Sequence, residues 1–234
     1  MKKIAAILAC CVLPVAAQAT DWKPAAELGL VVTTGNSDTT NINGKLALHG
    51  EDEQWIHDLG ALYVRGETDD EVTANRYELS GRSGYKFSDR SYVFGSLRYE
   101  NDDFAAFDYQ AVASIGYGYF AIKSELTTLL FEIGPGYRKA RLVDGTDDTG
   151  AILRGMADYK HQFTDTTSFF DTLLVEAGSD NTFVQNDIGI QVAINKTLAL
   201  KAALQARHNT DVLDGIDKTD TLTTINLVWS PSDG

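Results

Sequence analysis

The chain has 234 residues, of which 44% are hydrophobic and 23% charged, and it carries 20 Gly, 10 Tyr and 10 Phe against only 4 Pro. This composition excludes a disordered or low-complexity chain. A total of 20 Lys and Arg against 33 Asp and Glu leaves a net charge of −13. No nucleic-acid partner is therefore expected, because phosphate binding needs a basic surface.

Residues 1–19 have the organisation of a secretory signal peptide. Lys2 and Lys3 precede the apolar run Ile4–Val15, and a small-x-small cleavage site ends at Ala19. We predict cleavage after Ala19, which leaves residues 20–234 as one domain and lowers the net charge from −13 to −15 through loss of the two lysines. Both cysteines lie in the leader, so the mature chain has none; lipidation at Cys10 is the alternative.

Beyond the leader, no apolar run reaches the length of a transmembrane helix, and the dominant pattern has period two. In Arg76–Phe87, for example, Tyr77 and Leu79 alternate with Glu78 and Ser80. Segments of this kind, separated by turn-forming residues, predict twelve strands: Ala25–Thr34, Thr40–His49, Trp55–Arg65, Arg76–Phe87, Tyr92–Glu100, Asp108–Phe120, Glu125–Arg138, Ala151–Phe163, Ser168–Ala177, Val184–Asn195, Leu198–His208 and Thr219–Ser230.

Two strands and the turns need separate comment. Trp55–Arg65 and Ser168–Ala177 do not keep one phase, so each is expected to contain a bulge. The turns divide into a short set, predicted at Gly35–Asp38, Ser88–Arg90, Asp165–Thr166 and Lys196–Thr197. A longer set is predicted at Gly66–Thr73, Asn101–Phe107, Leu142–Thr149 and Thr210–Lys218. Short periplasmic turns and longer outer loops are typical of outer-membrane barrels.

Period two alone does not distinguish a soluble β-protein from a transmembrane barrel. Two further features favour the membrane. The last strand alternates and ends on an aromatic residue, through Ile225, Leu227 and Trp229, which is typical of a closing strand that directs insertion. Aromatic residues also cluster near strand ends, as interfacial girdles require: Trp55, Tyr63, Tyr77, Tyr85, Phe87, Tyr99, Tyr109, Tyr119 and Tyr159. We therefore predict an all-β fold, a transmembrane antiparallel up-and-down β-barrel of about twelve strands.

An ordered set of short motifs carries a family resemblance. The motifs are Glu27–Gly29, Thr34–Thr40, Trp55, Leu97–Glu100, Phe107–Gln110, Gly116–Gly118, Gly134–Tyr137 and Lys218–Asp220. Together they resemble the domain-of-unknown-function 481 family, whose members include a salt-induced outer membrane protein, and the similarity covers essentially the whole mature chain. The resemblance implies an outer-membrane β-barrel of unassigned biochemical activity.

The predicted inward faces carry charge, which is the most informative functional signal. Buried charges need partners or water, so these side chains either pair across the lumen or line a wet channel. The predicted set is Arg76, Glu78, Arg82, Lys86, Arg98, Glu100, Arg138, Arg154, Asp158, Lys160, Lys201 and Arg207. Both a structural barrel filled by ion pairs and a narrow passive channel remain open.

Enzymatic and cofactor chemistry finds little support in the sequence. The histidines His49, His57, His161 and His208 show no metal-ligand spacing, and they are expected to be interfacial or satisfied side chains. We predict no cofactor and no enzymatic activity. The expected partners are outer-membrane lipid and, during biogenesis, the barrel-assembly machinery. Two alternatives stay open: a barrel-embedded lipid-modifying enzyme, and a soluble periplasmic β-protein that binds a small apolar ligand.

Overall fold

The computed structural model describes residues 20–33, 39–213 and 215–231. Its elements are twelve antiparallel strands that close into one barrel with up-and-down order. The strands are β1 Asp21–Thr33, β2 Thr39–Glu51, β3 Trp55–Thr68, β4 Glu71–Ser88, β5 Ser91–Asp102, β6 Phe107–Lys123, β7 Thr127–Leu142, β8 Asp147–Gln162, β9 Thr167–Gly178, β10 Thr182–Ala193, β11 Leu198–Asn209 and β12 Thr219–Trp229. In the described ranges no helix is long and apolar enough to cross a membrane. The predicted fold class is confirmed.

The barrel is inside-out relative to a soluble protein, because its large apolar side chains lie on the outer surface. Leu97 and Ile115 are 68% and 67% exposed, whereas Glu100 and Arg138 are 2% and 1% exposed. Closure pairs every strand with two neighbours, so the backbone leaves no open edge in hydrocarbon. The alternation therefore places the apolar face toward lipid and the charged face toward the lumen.

Aromatic side chains form two belts on the outer surface. Near the rim where β1 begins and β12 ends, which we call the terminal rim, Trp55 contacts Tyr85 with ring centroids 5.3 Å apart. Near the opposite rim, the loop rim, Tyr99 lies 6.0 Å from Tyr77 and 6.4 Å from Tyr109. These belts have the arrangement of interfacial girdles, where amphipathic rings sit at headgroup level.

The turns differ from prediction at the loop rim. The strands β3 and β4 continue through the predicted loop Gly66–Thr73 and meet at a two-residue turn, in which Asp69 and Asp70 have φ of 51° and 65°. Aspartate tolerates this left-handed conformation, and primed turns match the twist of a hairpin. The predicted turn Gly35–Asp38 lies outside the described residues.

At the terminal rim, the turn after β2 is held by one side chain. The Asp52 carboxylate accepts hydrogen bonds from the backbone N–H groups of Gln54 and Trp55, each at 2.8 Å. These bonds, the one from Gln54 first, hold the pKa of Asp52 below its ordinary value because they stabilise the charged form.

The predicted bulges are placed differently. A register shift occurs at Gly66 and Glu67, just beyond the predicted segment Trp55–Arg65. In the described residues, the ladders of β9 with β8 and β10 run without a shift, so the bulge predicted in Ser168–Ala177 is wrong. The phase is blurred there because Phe170 faces the lumen, where its ring meets the Lys201 ammonium at 4.7 Å.

The closing seam is the shortest ladder of the barrel. Among the described residues, three of β1, Ala26–Leu28, pair with Leu227–Trp229 of β12, whereas each of the other ladders has eleven or more residue pairs. On the lumen side, the Asn43 amide donates to Asn226 at 2.9 Å and so adds a side-chain bridge near the seam.

The strands β6 and β7 approach closely beside Pro135, which has no N–H to donate to the ladder. A Cβ built at Gly134 would lie 2.0 Å from the Ile115 carbonyl oxygen, so only glycine fits there.

We expect Gly134→Val to lower the free energy of unfolding by about 1–3 kcal/mol through overpacking. A Cβ at Gly155 meets no atom within 4 Å, so Gly155→Val is the matched control. Urea titration in lipid vesicles measures both; equal stability of the two variants would contradict the close packing.

Candidate functional site

The structure places all twelve predicted charges on the lumen side. Contacts between strands that are not neighbours in the sheet, such as Arg98 with Glu176 and Arg207 with Glu100, are possible only through the interior. Glu78, Asp158 and Lys160 line the lumenal cavity, and Lys86 bonds Glu51 at 2.8 Å near the terminal rim.

An ion-pair layer crosses the lumen in its loop-side half. We define it by Arg76, Arg98, Glu100, Glu176 and Arg207. Glu100 receives Arg207 and, at 3.0 Å, Arg98, which also donates to Glu176 at 2.6 Å. Arg76 of β4 adds a hydrogen bond to Gln205 of β11 at 2.7 Å. The layer therefore joins β4, β5, β9 and β11 across the interior.

An aromatic ring supports this layer. The buried ring of Phe183 has the guanidinium carbons of Arg98 and Arg207 at 4.9 Å and 5.3 Å from its centroid. Stacking on an aromatic face suits the planar, weakly hydrated guanidinium and holds both arginines on their carboxylate partners.

A second network fills the β3–β8 side of the lumen. Glu132, fully buried, receives Arg82, the Arg154 guanidinium at 2.7 Å and the Tyr92 hydroxyl at 2.5 Å. Arg82 also forms an ion pair with Asp58 of β3. Two arginines on one carboxylate pair its charge within the interior, so the buried network is neutralised locally.

This side of the lumen is not wholly polar, contrary to expectation. A cluster of Ile56, Tyr92, Phe94 and Leu130 is buried there. These apolar side chains fill the lumen beside β3–β8 without water, so this part of the interior is packed like a protein core.

Beside this packed region the lumen holds a cavity of about 670 Å³, which we call the vestibule. It is lined by β1–β4 and β7–β12, and many of its lining side chains are charged or carry amides. Lys201 bonds Glu27 at 2.9 Å on its wall, and Asp187 accepts from Gln205 at 2.7 Å. The vestibule extends from Thr127 and the mostly exposed Lys160 near the terminal rim to Arg76 and Glu78 at the ion-pair layer.

A further layer of contacts narrows the loop rim. Arg138, almost fully buried, donates to the Asn181 carbonyl at 2.8 Å and pairs with Asp148 at 3.0 Å. Above it, Phe107 and its buried neighbours pack against Val212 and Ile216 of the β11–β12 loop. Among the described residues, the vestibule reaches the surface at the terminal rim, beside Lys160.

Several interior carboxylates that complete these networks were missing from the predicted set, among them Glu27, Glu132 and Glu176. Glu132 could have been predicted, because it is an even number of residues from Arg138 on β7 and therefore lies on the same face of the strand. The predicted closing-strand residues Ile225, Leu227 and Trp229 lie on the outer face, 61%, 48% and 47% exposed.

Histidine chemistry does not converge on a site. The Nδ1 atoms of His57, His161 and His208 each lie within 3.0 Å of the hydroxyl of a cross-strand Ser or Thr. This repetition favours a structural role for the contact. His49 instead faces the lumen and bonds Asp58 at 2.8 Å. Among the described residues, no group of three or more His, Cys, Asp or Glu is arranged to hold a metal ion.

The closed barrel, apolar exterior and charged lumen define a transmembrane β-barrel. The NanC porin structure has the same architecture with a TM-score of 0.50 and 10% sequence identity, over 89% of this chain and 97% of that one. The KdgM porin aligns with a TM-score of 0.47 and 9% identity, over 90% and 99% of the two chains. The alignment with the NanC porin indicates a shared fold and not a shared activity.

The sequence comparison is more specific. The family described as "Protein of unknown function, DUF481" matches residues 26–230, and the chain belongs to this family. The uncharacterized protein YdiY of Escherichia coli strain K12 is 25% identical over 205 residues, which cover 86% of this chain and 80% of that protein. The predicted family is thereby confirmed.

Removal of one member of the ion-pair layer should be costly. Glu100→Ala leaves Arg98 and Arg207 buried with less neutralising charge, and we expect a loss of about 3–5 kcal/mol in the free energy of unfolding. Arg65→Ala is the control, because its pair with Glu67 is well exposed and should leave stability nearly unchanged. Urea unfolding in vesicles, followed by tryptophan fluorescence, measures both variants. A Glu100→Ala protein as stable as the control would refute the role of the layer.

Proposed function

We propose that this outer-membrane barrel is a narrow passive channel for small hydrophilic solutes, constricted by the ion-pair layer. The observation that carries the proposal is the vestibule, which leads from the terminal rim to Arg76 and Glu78 of the lumen and has many charged and amide side chains on its wall. A barrel with a purely structural role has no need of a hollow interior, since the β3–β8 side shows that this lumen can be packed solid.

The proposal includes export and insertion. The leader is cleaved after Ala19, and the terminal rim faces the periplasm, as short turns do in bacterial barrels. The exposed Ile225, Leu227 and Trp229 would be recognised by the barrel-assembly machinery.

Intact mass measurement of the purified protein is expected to give a chain that begins at Thr20. An acylated chain that begins at Cys10 would disprove the cleavage site.

Conductance in planar bilayers tests the channel. The wild-type protein is expected to give small, steady conductance steps in concentrated KCl. Replacing Glu100 and Arg207 together with Ala removes a cross-lumen pair without changing the net charge, and the steps should grow about two-fold or more because the constriction widens.

The double variant Arg65→Ala with Glu67→Ala is the matched control, since it removes an ion pair from the outer surface. It should conduct as the wild type does. Heat-dependent gel mobility establishes that each variant is folded. Absence of conductance in both the wild type and the widened variant would show that the barrel is structural.

A further inference from the structure

We infer that the outer wall of the barrel carries a binding site for one acyl chain of a glycerophospholipid, with its ester carbonyl held by His57. The inference depends on the barrel lying in a bilayer and is independent of whether the lumen conducts. The site is a trough of about 790 Å³ over β3–β7, within the usual volume range of ligand sites, and its lining is almost entirely apolar.

The trough arises from one row of cross-strand partners. Successive strands from β1 to β6 contribute Trp22, Gly50, His57, Ser83, Gly95 and Ile115, each paired with the next. Small residues at 83 and 95 leave a depression between the imidazole and Ile115. His57 and Ile115 are three strands apart, so the depression is about 14 Å long at the usual strand spacing.

The neighbouring rows form the two sides of the trough. On the loop side, Leu59 and Leu97 project on either side of Gly81. On the terminal side lie Trp55 and Tyr85 of the aromatic belt. The trough is thus an apolar groove on the outer surface, on the side of the aromatic belt that faces the bilayer centre. Acyl chains begin at this depth, just below their ester groups.

The polar end of the trough is built and held in place. Trp22 lies flat over Gly50, where an added Cβ would come within 2.6 Å of the indole. The His57 ring is stacked between Trp22 and Trp55, with centroid distances of 5.7 Å and 5.8 Å. The imidazole is therefore fixed in orientation on a surface that faces lipid.

The remaining hydrogen-bonding capacity of His57 selects an acceptor. Its Nδ1 is bonded to the Ser83 hydroxyl at 3.0 Å. When Nδ1 accepts that bond, Nε2 carries the proton and needs an acceptor, since an unpaired polar group in an apolar environment is unfavourable. Among the described residues none is hydrogen-bonded to Nε2. An ester carbonyl at girdle depth supplies the acceptor, and its acyl chain fills the trough.

Native mass spectrometry of the full mature chain, incubated with 1-palmitoyl-2-oleoyl-phosphatidylethanolamine in dodecyl maltoside, tests the site. The wild type is expected to retain one lipid under activation that strips the detergent. Gly95→Leu fills the trough and should lower the retained fraction about ten-fold. Gly155→Leu is the matched control on the outer face of β8 and should retain lipid as the wild type does. A Cβ at either glycine meets no atom within 4 Å, so both variants are expected to fold.

The hydrogen bond is tested with a dialkyl ether analogue of the same lipid. The wild type should retain the ether about three-fold less than the ester, as loss of one hydrogen bond implies. His57→Phe keeps the ring stack and should abolish this difference. Should Gly95→Leu fail to show the heat-shifted mobility of a folded barrel, Gly81→Ala replaces it. Equal retention by the wild type and the filled variant, retention of detergent instead of lipid, or no retained lipid would overturn the proposal.

Discussion

The whole architecture depends on the requirement that backbone N–H and C=O groups in hydrocarbon find partners within the protein. A sheet meets this requirement only when it closes, and closure turns the alternate side chains of every strand toward a confined interior. That interior then has a requirement of its own, because charges removed from bulk water must be neutralised nearby. Glu100 between Arg98 and Arg207, and Glu132 between Arg82 and Arg154, are how this chain meets it.

The lumen is divided into a solid half and a hollow half. From β3 to β8, Tyr92 and Phe94 pack with Ile56 as in the core of a soluble protein. The vestibule lies beside this packed region and is lined by β1–β4 and β7–β12, where amide, hydroxyl and charged side chains leave the space open. The difference follows from side-chain size: large aromatic groups on inward positions fill the tapering space, whereas residues such as Asn226 and Thr224 do not reach the opposite wall.

Local sequence was sufficient for the strands and their inward phase, because side-chain alternation is a property of each strand alone. Arg76 and Glu78, for example, could be assigned to one face from period two. The partners could not be assigned this way. Arg207 meets Glu100 across 107 positions of the chain, and that contact depends on the register of every ladder between β5 and β11. Likewise, a loop was predicted where the structure has the two-residue turn at Asp69 and Asp70. Beyond the bilayer a strand need not alternate apolar and polar residues, so its sequence there looks like that of a polar loop.

The three-pair seam between β1 and β12 has a mechanical consequence. If the barrel is loaded by force, as in an experiment that pulls on one end of the chain, the ladders will not share the load equally. In the described residues the seam between Ala26–Leu28 and Leu227–Trp229 has the fewest backbone pairs to break. Beside it, Asn226 contacts Asn43 and Glu27, and Lys201 contacts Glu27, through side chains. Extraction should therefore begin by unzipping at this line, with the remaining hairpins leaving the bilayer in sequence from either end.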